Sequence, residues 1–597
     1  MWRALPVRRL SVAVCVALVA VVVGGVLPAA AQTATASKVS VGSPSGTTPR
    51  NHQNEPAVAM DAHNPAFLVA GSNDFVDWQP CPEEAATEQG TCFGPADENV
   101  GLSGVYFSFD RGNNWIQPTY TGWTAADCAP TTVCEAHVGP IHTLPWYYEN
   151  GLVSNGDPAV AVGPRPENGT FSWTNGARIY YANLTSKFAG PGASVEGDFR
   201  GLLGVAVSRL DNPTPSRVLD KNNWMTPVIA MERAGTFTLE DKEQIWADNA
   251  ASSEFFGRVY VCSAEYRALT GRGVPVPIMV AYSADGGATW TQRQVTSSGG
   301  AGASFFQQGS ETGCTIRTDS RGVVYLFLGN FRFGFPGEGF HYMLKSFDGG
   351  KHWTQPQVTV TANDMCFNFD PVYGRCVADG FAGARIDLSA APSVDIANGA
   401  PTGIGATNEI IDAWSDGRLG LNNEKTFVAW SMNGGATWGG PTAVSLPGDR
   451  TLYSAPAISP IGDRIYVVYE ADLDPWRGAD MASARRYRGV FLSAAIGPGG
   501  APTSWSTVLT GAIGDLKGTY PGHDIYQERI GDYVYAAASA TYGVGVWTDA
   551  RDAGICPQVQ TYRAASLAAG EHALPAPWPL FICPTFGNTD IWAATTG

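Results

Sequence analysis

Two short stretches carry the same three side chains in the same order, Trp414-Ser-Asp416-Gly-Arg418 and Trp547-Thr-Asp549-Ala-Arg551. An arginine two residues beyond a carboxylate can bridge to its neighbour, or it can hold the carboxylate of a ligand in a two-pronged grip. Carboxylates and amides recur after other short apolar runs, in Ser72-Asn73-Asp74, Thr174-Asn175, Ala264-Glu265, Gly329-Asn330 and Glu470-Ala-Asp472. A second set, Glu55, Asp157, Glu243, Glu311 and Asp532 with Tyr533, stands where such runs begin. Facing carboxyl groups are the apparatus of acid–base glycoside hydrolysis, and their separation decides retention or inversion. No spacing matches a zinc site or an EF-hand-like loop, so no metal site is assigned and no cofactor is expected. Crowded hard oxygens could still hold a structural Ca²⁺.

These positions fall at the two ends of a repeating unit. Unit starts are read at Asn54-Glu55-Pro56, Gly156-Asp157-Pro158, Lys242-Glu243, Ser310-Glu311, Ala391-Pro392, Ser454-Ala-Pro456 and Gly531-Asp532. Second strands are expected at 67–71, 169–173, 258–262, 323–328, 409–414, 464–469 and 544–547. Third strands run into a recurring turn, S-x-D-x-G-x-x-W, at Ser108 to Trp115, Ser283 to Trp290 and Ser346 to Trp353; a fourth copy, Ser431 to Trp438, has Asn433 for the acid. In such a turn the Asp or Asn oxygen accepts backbone N–H groups, glycine takes a positive φ and tryptophan folds back as a plug. Seven starts imply seven four-stranded units in an all-β chain. The last unit ends one strand short after 559–564, and 38–41 could supply the missing strand and close a ring without edges.

The turn resembles the Asp-box (BNR) repeat of the sialidase-like β-propellers, which implies one propeller of radial four-stranded blades. Sialidases have six blades, so six stands as the alternative to the seven counted. Asp110, Asp285 and Asp348 are then expected to be structural. In an up-and-down blade the start of the first strand and the end of the second share one face, opposite the boxes. The acids, amides and arginines above are therefore expected around one mouth of the axial channel.

The stretch Leu452-Tyr453-Ser454-Ala-Pro-Ala-Ile, followed by Ile465-Tyr-Val-Val-Tyr469-Glu470, resembles the Y-S-x-L … L-Y-E segment that carries the sialidase tyrosine nucleophile. The resemblance implies that Tyr453 attacks the anomeric carbon while Glu470 supports an arginine. Asp74 is the positional candidate for the acid, Asp416 and Asp549 are further catalytic carboxylates of the rim, and Arg418 and Arg551 are candidates to hold the sugar. The F/Y-R-I-P motif of the family is missing, the corresponding stretch reading Asn51-His52-Gln53-Asn54-Glu55-Pro56. Two readings stay open: an exo-sialidase-type glycoside hydrolase that removes terminal sugars from glycans or glycoconjugates, and a non-catalytic propeller binding glycan or protein through the same face.

Net charge is −16 and no basic stripe is present, which argues against nucleic acid as a partner. Arg3, Arg8 and Arg9, an apolar run over 10–27 and Ala29-Ala30-Ala31-Gln32 read as a secretory signal peptide over 1–31, an uncleaved anchor being the competing reading. The propeller is placed at 32–567 and a tail packed on it at 568–597. A secreted monomer, not inserted in membrane after cleavage, is expected. Apart from Cys15, ten cysteines remain. They are paired by proximity as Cys81–Cys92, Cys128–Cys134 and Cys366–Cys376 within loops, Cys262–Cys314 between units and Cys556–Cys583 near the end. The long connections 75–103, 121–155 and 361–382 fall on the acidic face, and their Trp78, Trp123, Trp146, Tyr147 and Tyr148 would suit either stacking on sugar rings or packing the loops down.

Overall fold

Seven antiparallel sheets are arranged around a common axis in the computed structural model of the chain. It describes residue 1 and residues 34–45, 49–80, 99–129, 134–190, 201–233, 238–269, 272–274, 277–296, 310–331, 337–370, 375–378, 385–478, 480, 482–519, 530–571, 573, 577 and 583–596. The innermost strands of blades one to seven are Gln53–Met60, Ala159–Glu167, Thr238–Ala247, Ser310–Thr318, Ser393–Ile396, Arg450–Ile458 and Tyr535–Ala538. Each touches the inner strand of the next blade, and Tyr535–Ala538 touches Gln53–Met60, so the ring closes. Small residues allow that convergence: Ala59, Ala161 and Ala536 to Ala538 line the axis. Larger rings fill the wider spaces between blades, among them the fully buried Trp414, Trp547, Tyr106, Tyr180, Tyr260 and Tyr466.

The four S-x-(D/N)-x-G-x-x-W turns have one hydrogen-bond pattern. The glycine N–H donates to the serine Oγ at 2.8 Å in every copy. The serine hydroxyl donates to Oδ1 of Asp110, Asp285, Asp348 or Asn433 at 2.8 to 3.0 Å. The same oxygen takes the N–H of the residue four further on at 2.9 Å. The glycines concerned have φ between 82 and 93°, a region that costs other residues dearly. The turn therefore consumes its own carboxylate, and these four side chains are structural.

Four of the expected disulfides are present, Cys128–Cys134, Cys262–Cys314, Cys366–Cys376 and Cys556–Cys583. Cys262–Cys314 joins the second strand of blade three to the first strand of blade four. Cys81, Cys92 and residues 2–33, which hold most of the expected signal peptide, lie outside the described residues. Among the described residues no helix is long and apolar enough to cross a membrane.

Two boundaries differ from the sequence reading. The second strand of blade two continues through Thr170–Lys187, so Thr174 and Asn175 sit at the hairpin end of the blade, and the opposite end carries Asn183 and Thr185. In blade seven, 559–564 belongs to the helix Pro557–Ala569, which has Pro at its first turn, alanines within and Gly570 as a left-handed stop (φ 72°). The third strand is Asp590–Thr596, within the segment read as a tail, and Ala34–Lys38 pairs with it as the outermost strand. Strands from the two ends of the described chain thus clasp the ring shut. Deleting residues 588–597 is expected to abolish the cooperative thermal transition seen by circular dichroism, because blade seven then loses both outer strands; a native-like melt would contradict this closure.

Candidate functional site

At the end of the ring away from the boxes, the inner strands break register. Between Asn54 and Ala57, Asp241 and Gln244, Thr312 and Thr315, and Thr451 and Ser454, each inner strand carries one residue more than its partner. Such bulges re-aim side chains. Asp157-Pro158 and Gly531-Asp532 take the corresponding place just before the inner strands of blades two and seven. Glu55 (φ 56°), Asp157 (47°) and Lys242 (60°) hold left-handed backbone there, where Gly313 (61°) and Gly531 (99°) do so in other blades. A left-handed non-glycine residue costs about 1–3 kcal/mol, so three neighbouring blades keep strain in order to keep a charged side chain.

Those side chains meet in one buried network. Lys242 Nζ lies 2.6 Å from Asp532 Oδ2, 3.2 Å from Asp157 Oδ2 and 3.5 Å from Asp241 Oδ1. Arg385 grips the same Asp532, with Nε 2.7 Å from Oδ1 and a terminal nitrogen on Oδ2, and reaches Glu55 Oε1 at 3.3 Å and Asp387 Oδ2 at 3.5 Å. Asn73 donates to Glu55 Oε2 at 2.8 Å and accepts the Asp157 N–H at 2.7 Å, coupling blades one and two. The Tyr453 hydroxyl donates to the Arg385 carbonyl and stands 3.5 Å from Asp532 Oδ1. Glu243 is 4% exposed, and among the other described residues neither carboxyl oxygen has a hydrogen-bond partner. Lys242, Glu243, Tyr453, Asp532 and Tyr533 line a cavity of about 50 Å³.

Burial sets the protonation here. It pushes the Glu243 carboxyl well above the ordinary range, with the Asp157 charge adding to the effect. Burial would lower the Lys242 ammonium, but Asp157, Asp241, Asp532 and Glu55 outweigh it and hold it well above its ordinary value. Burial, reinforced by Asp532, raises the Tyr453 hydroxyl. Tyr533 is raised by burial and by Asp157 and Glu55.

Of the candidates read from sequence, Glu55, Asp157, Glu243, Asp532, Tyr533 and Tyr453 come together. Asp74, Asp416 and Asp549 end their second strands at the same end of the ring, but each closes a local clasp. Asp74 accepts from Gln53 Nε2 (2.9 Å), Tyr106 Oη (2.7 Å) and Gln117 Nε2 (2.7 Å). Asp416 and Asp549 take the indole N–H of Trp414 and Trp547 and the guanidinium of Arg418 and Arg551, the last at 2.6 and 2.7 Å. Arg418 also lies over Phe427 at 4.6 Å and Arg551 over Trp592 at 3.5 Å. The two arginines are therefore spent on their own loops rather than turned to a ligand. Glu470 accepts the Thr548 N–H at 3.0 Å and supports no arginine among its described partners. The side chain of Glu311 lies outside the described residues.

Lys242, Arg385, Asp241 and Asp387 were not singled out from sequence. Lys242 opens a recognised unit start, and its charge was a usable signal; Arg385 stands in an irregular connection with no repeat to mark it. The loop aromatics pack inward: Trp78 meets Phe75 edge-on at 4.9 Å, Trp123 meets Phe188 at 5.2 Å, Tyr148 meets Trp123 at 5.8 Å, the Trp146 indole donates to the Lys221 carbonyl, and Tyr147 is buried against Ser208. A second, more apolar cavity of about 190 Å³ opens at the other ends of the inner strands, lined by Val58, Val162, Ile245, Ile396 and Ile458 with Trp246, Arg317 and Asp395.

No protein-family model matches the chain, and no curated protein matches it significantly. Among solved structures it is similar to the Hadza microbial sialidase Hz136, at 13% identity over 70% of this chain and 63% of that one, with a TM-score of 0.38. The NanB sialidase of Streptococcus pneumoniae is similar at 10% identity, 72% and 67% coverage and a TM-score of 0.38. The intramolecular trans-sialidase of Ruminococcus gnavus follows at 11%, 71% and 91%, with 0.37. Strand pairing, rather than these likenesses, establishes the architecture, a seven-bladed β-propeller.

Replacing Asp532 by Ala leaves Arg385 and Lys242 without their shared carboxylate, and a loss of about 3–5 kcal/mol is expected in a denaturant titration. A loss under about 1 kcal/mol would show the network to be solvated. Burial raises Glu470 from 4.5 to about 8. The folded protein then holds a proton that the unfolded chain has released between those values, so stability falls as pH rises through this window. Glu470→Gln is expected to flatten that part of a melting-temperature profile; an unchanged slope would exclude Glu470 as a source.

Proposed function

We propose that the protein is a secreted glycoside hydrolase of the exo-acting, tyrosine-nucleophile type, working at the axial network on a terminal sugar of a glycan or glycoconjugate. The observation that carries this reading is the strain at Glu55, Asp157 and Lys242: a ring built only for stability would place glycine there, as it does at Gly313 and Gly531. Export is supported by the leader-like N-terminus and by four disulfides, which persist in oxidising compartments.

In this reading the Tyr453 oxygen attacks the anomeric carbon as its proton passes to Asp532, 3.5 Å away. Glu243 gives its proton to the departing glycosidic oxygen. A water then loses a proton to the Glu243 carboxylate and attacks the same carbon, releasing the sugar while Asp532 returns the proton to Tyr453. Arg385 and Lys242 hold Asp532 in place.

A second reading, a propeller that binds a glycan without turnover, is favoured by the burial of Tyr453, which is 2% exposed. Assay of fluorogenic sialosides, hexosaminides and neutral hexosides separates the two. Turnover of at least one, reduced about 10²–10⁴-fold by Glu243→Gln and at least as far by Tyr453→Phe, is the expected result. Glycan binding with no turnover on any of them would establish the second reading instead.

A further inference from the structure

The axis is emptier at its box-side end than a purely structural ring requires. In the cavity of about 190 Å³ there, every blade contributes to the wall, from Met60 in blade one and Val162 in blade two to Arg317 in blade four and Ile458 in blade six. Protein interiors hold few voids larger than a water molecule, because a void forfeits contacts along its whole lining. Small side chains keep this one open. Ala59, Ala161 and Ala536 to Ala538 stand at the wall, where a leucine would reach into the space.

The apolar character continues to the surface. Pro401 and Pro460 line the cavity, and in the same two loops Ile404 and Ile461 are 81% and 41% exposed. The loops are tied to each other by the Gly399 N–H, which donates to the Pro460 carbonyl at 2.8 Å. An apolar molecule entering between them would therefore leave water for apolar surface along its whole path.

Charge limits the choice of ligand. The charged groups among the lining residues are Arg317 and Asp395, which stand 3.5 Å apart and offset each other. An ionic ligand would lose its hydration here and meet no unopposed partner. Asn249 and Asn398, joined by a hydrogen bond of 2.8 Å, bring amide groups that can pair with a hydroxyl. Volume sets the scale, since an apolar protein cavity of about 150 Å³ holds one benzene ring. Trp246 and Tyr535 give such a ring aromatic surface to pack on.

We propose that the box-side end of the axial channel binds a small, neutral aromatic molecule of one ring, with a hydroxyl as its polar group. This is a second site, at the opposite ends of the inner strands from the acidic cavity, and it does not depend on the hydrolase reading.

The test is calorimetric titration of the folded protein at pH 7 with p-cresol, benzoate and benzylamine, the last two being charged at that pH. p-Cresol is expected to bind one to one with a negative heat-capacity change, at least about 10-fold more tightly than either ion. Ala59→Leu and Ala537→Leu, which fill the space from blades one and seven, are each expected to weaken p-cresol binding at least about 10-fold while keeping a native-like melt. Leu219→Ala, at a half-exposed position outside the cavity, should leave it unchanged. Should neither leucine variant fold, the ranking of the three ligands on the unaltered protein still decides. No saturable binding of p-cresol, equal affinities for the three, tighter binding of either ion, or p-cresol binding that survives both folded leucine variants overturns the proposal.

Discussion

One carboxylate holds the centre of this molecule. Asp532, from the lead-in to blade seven, is shared by Lys242 of blade three and by Arg385 of the connection before blade five. Seven inner strands converge on the axis, and their starts bring backbone and polar side chains together out of contact with the surface. Each polar group there must find a partner in another blade or be left unsatisfied. Asp532 meets that demand for two cations at once, and the Tyr453 contacts attach blade six to the same point. A buried ion network is seldom more stable than an apolar one of equal volume, so its presence at the hub needs a reason other than stability.

The contrast among carboxylates makes that reason clearer. Asp110, Asp285 and Asp348 are saturated by their own turns, and Asp74, Asp416 and Asp549 by indole, amide, hydroxyl or guanidinium donors nearby. All six sit on relaxed backbone for which no left-handed φ is required. Glu55 and Asp157 differ in both respects: strained backbone aims them at the axis, and their partners come from distant parts of the chain. Acids that finish a loop and acids that face the axis thus occupy the same rim and are told apart by backbone and by partner, not by residue type.

That distinction explains what could be read before any coordinates. Local patterns were legible: the four box turns, the seven unit starts and four disulfides depend on residues close in sequence or on strict repetition. Glu55, Asp157, Glu243 and Asp532 are legible because each stands at a repeated place, and Tyr453 because its segment resembles the Y-S-x-L … L-Y-E pattern. The Trp-x-Asp-x-Arg pair misled because a two-residue spacing lets arginine fold back on its own aspartate, an outcome decided by loop conformation. Arg385 escaped because it belongs to no repeat and its partners lie 147 and 330 residues away. Blade seven was truncated in the reading because the helix Pro557–Ala569 interrupts the unit before Asp590–Thr596 returns to it.

The channel itself is asymmetric, and the asymmetry follows from the inner strands being charged where they start and apolar where they end. Tyr535 lines both cavities, and beside it the Arg317 guanidinium donates to Gln244 at 3.2 Å while lying over Trp246 at 4.8 Å. This layer separates the acidic cavity from the larger apolar one. A polar ligand at the box-side mouth would have to shed its hydration against Val, Ala and Ile side chains, at several kcal/mol for each uncompensated group. The Arg317–Asp395 pair would repel neither sign strongly, being neutral as a unit. Charge is therefore concentrated at the bulged ends of the strands, where Asp532 is shared by Lys242 and Arg385.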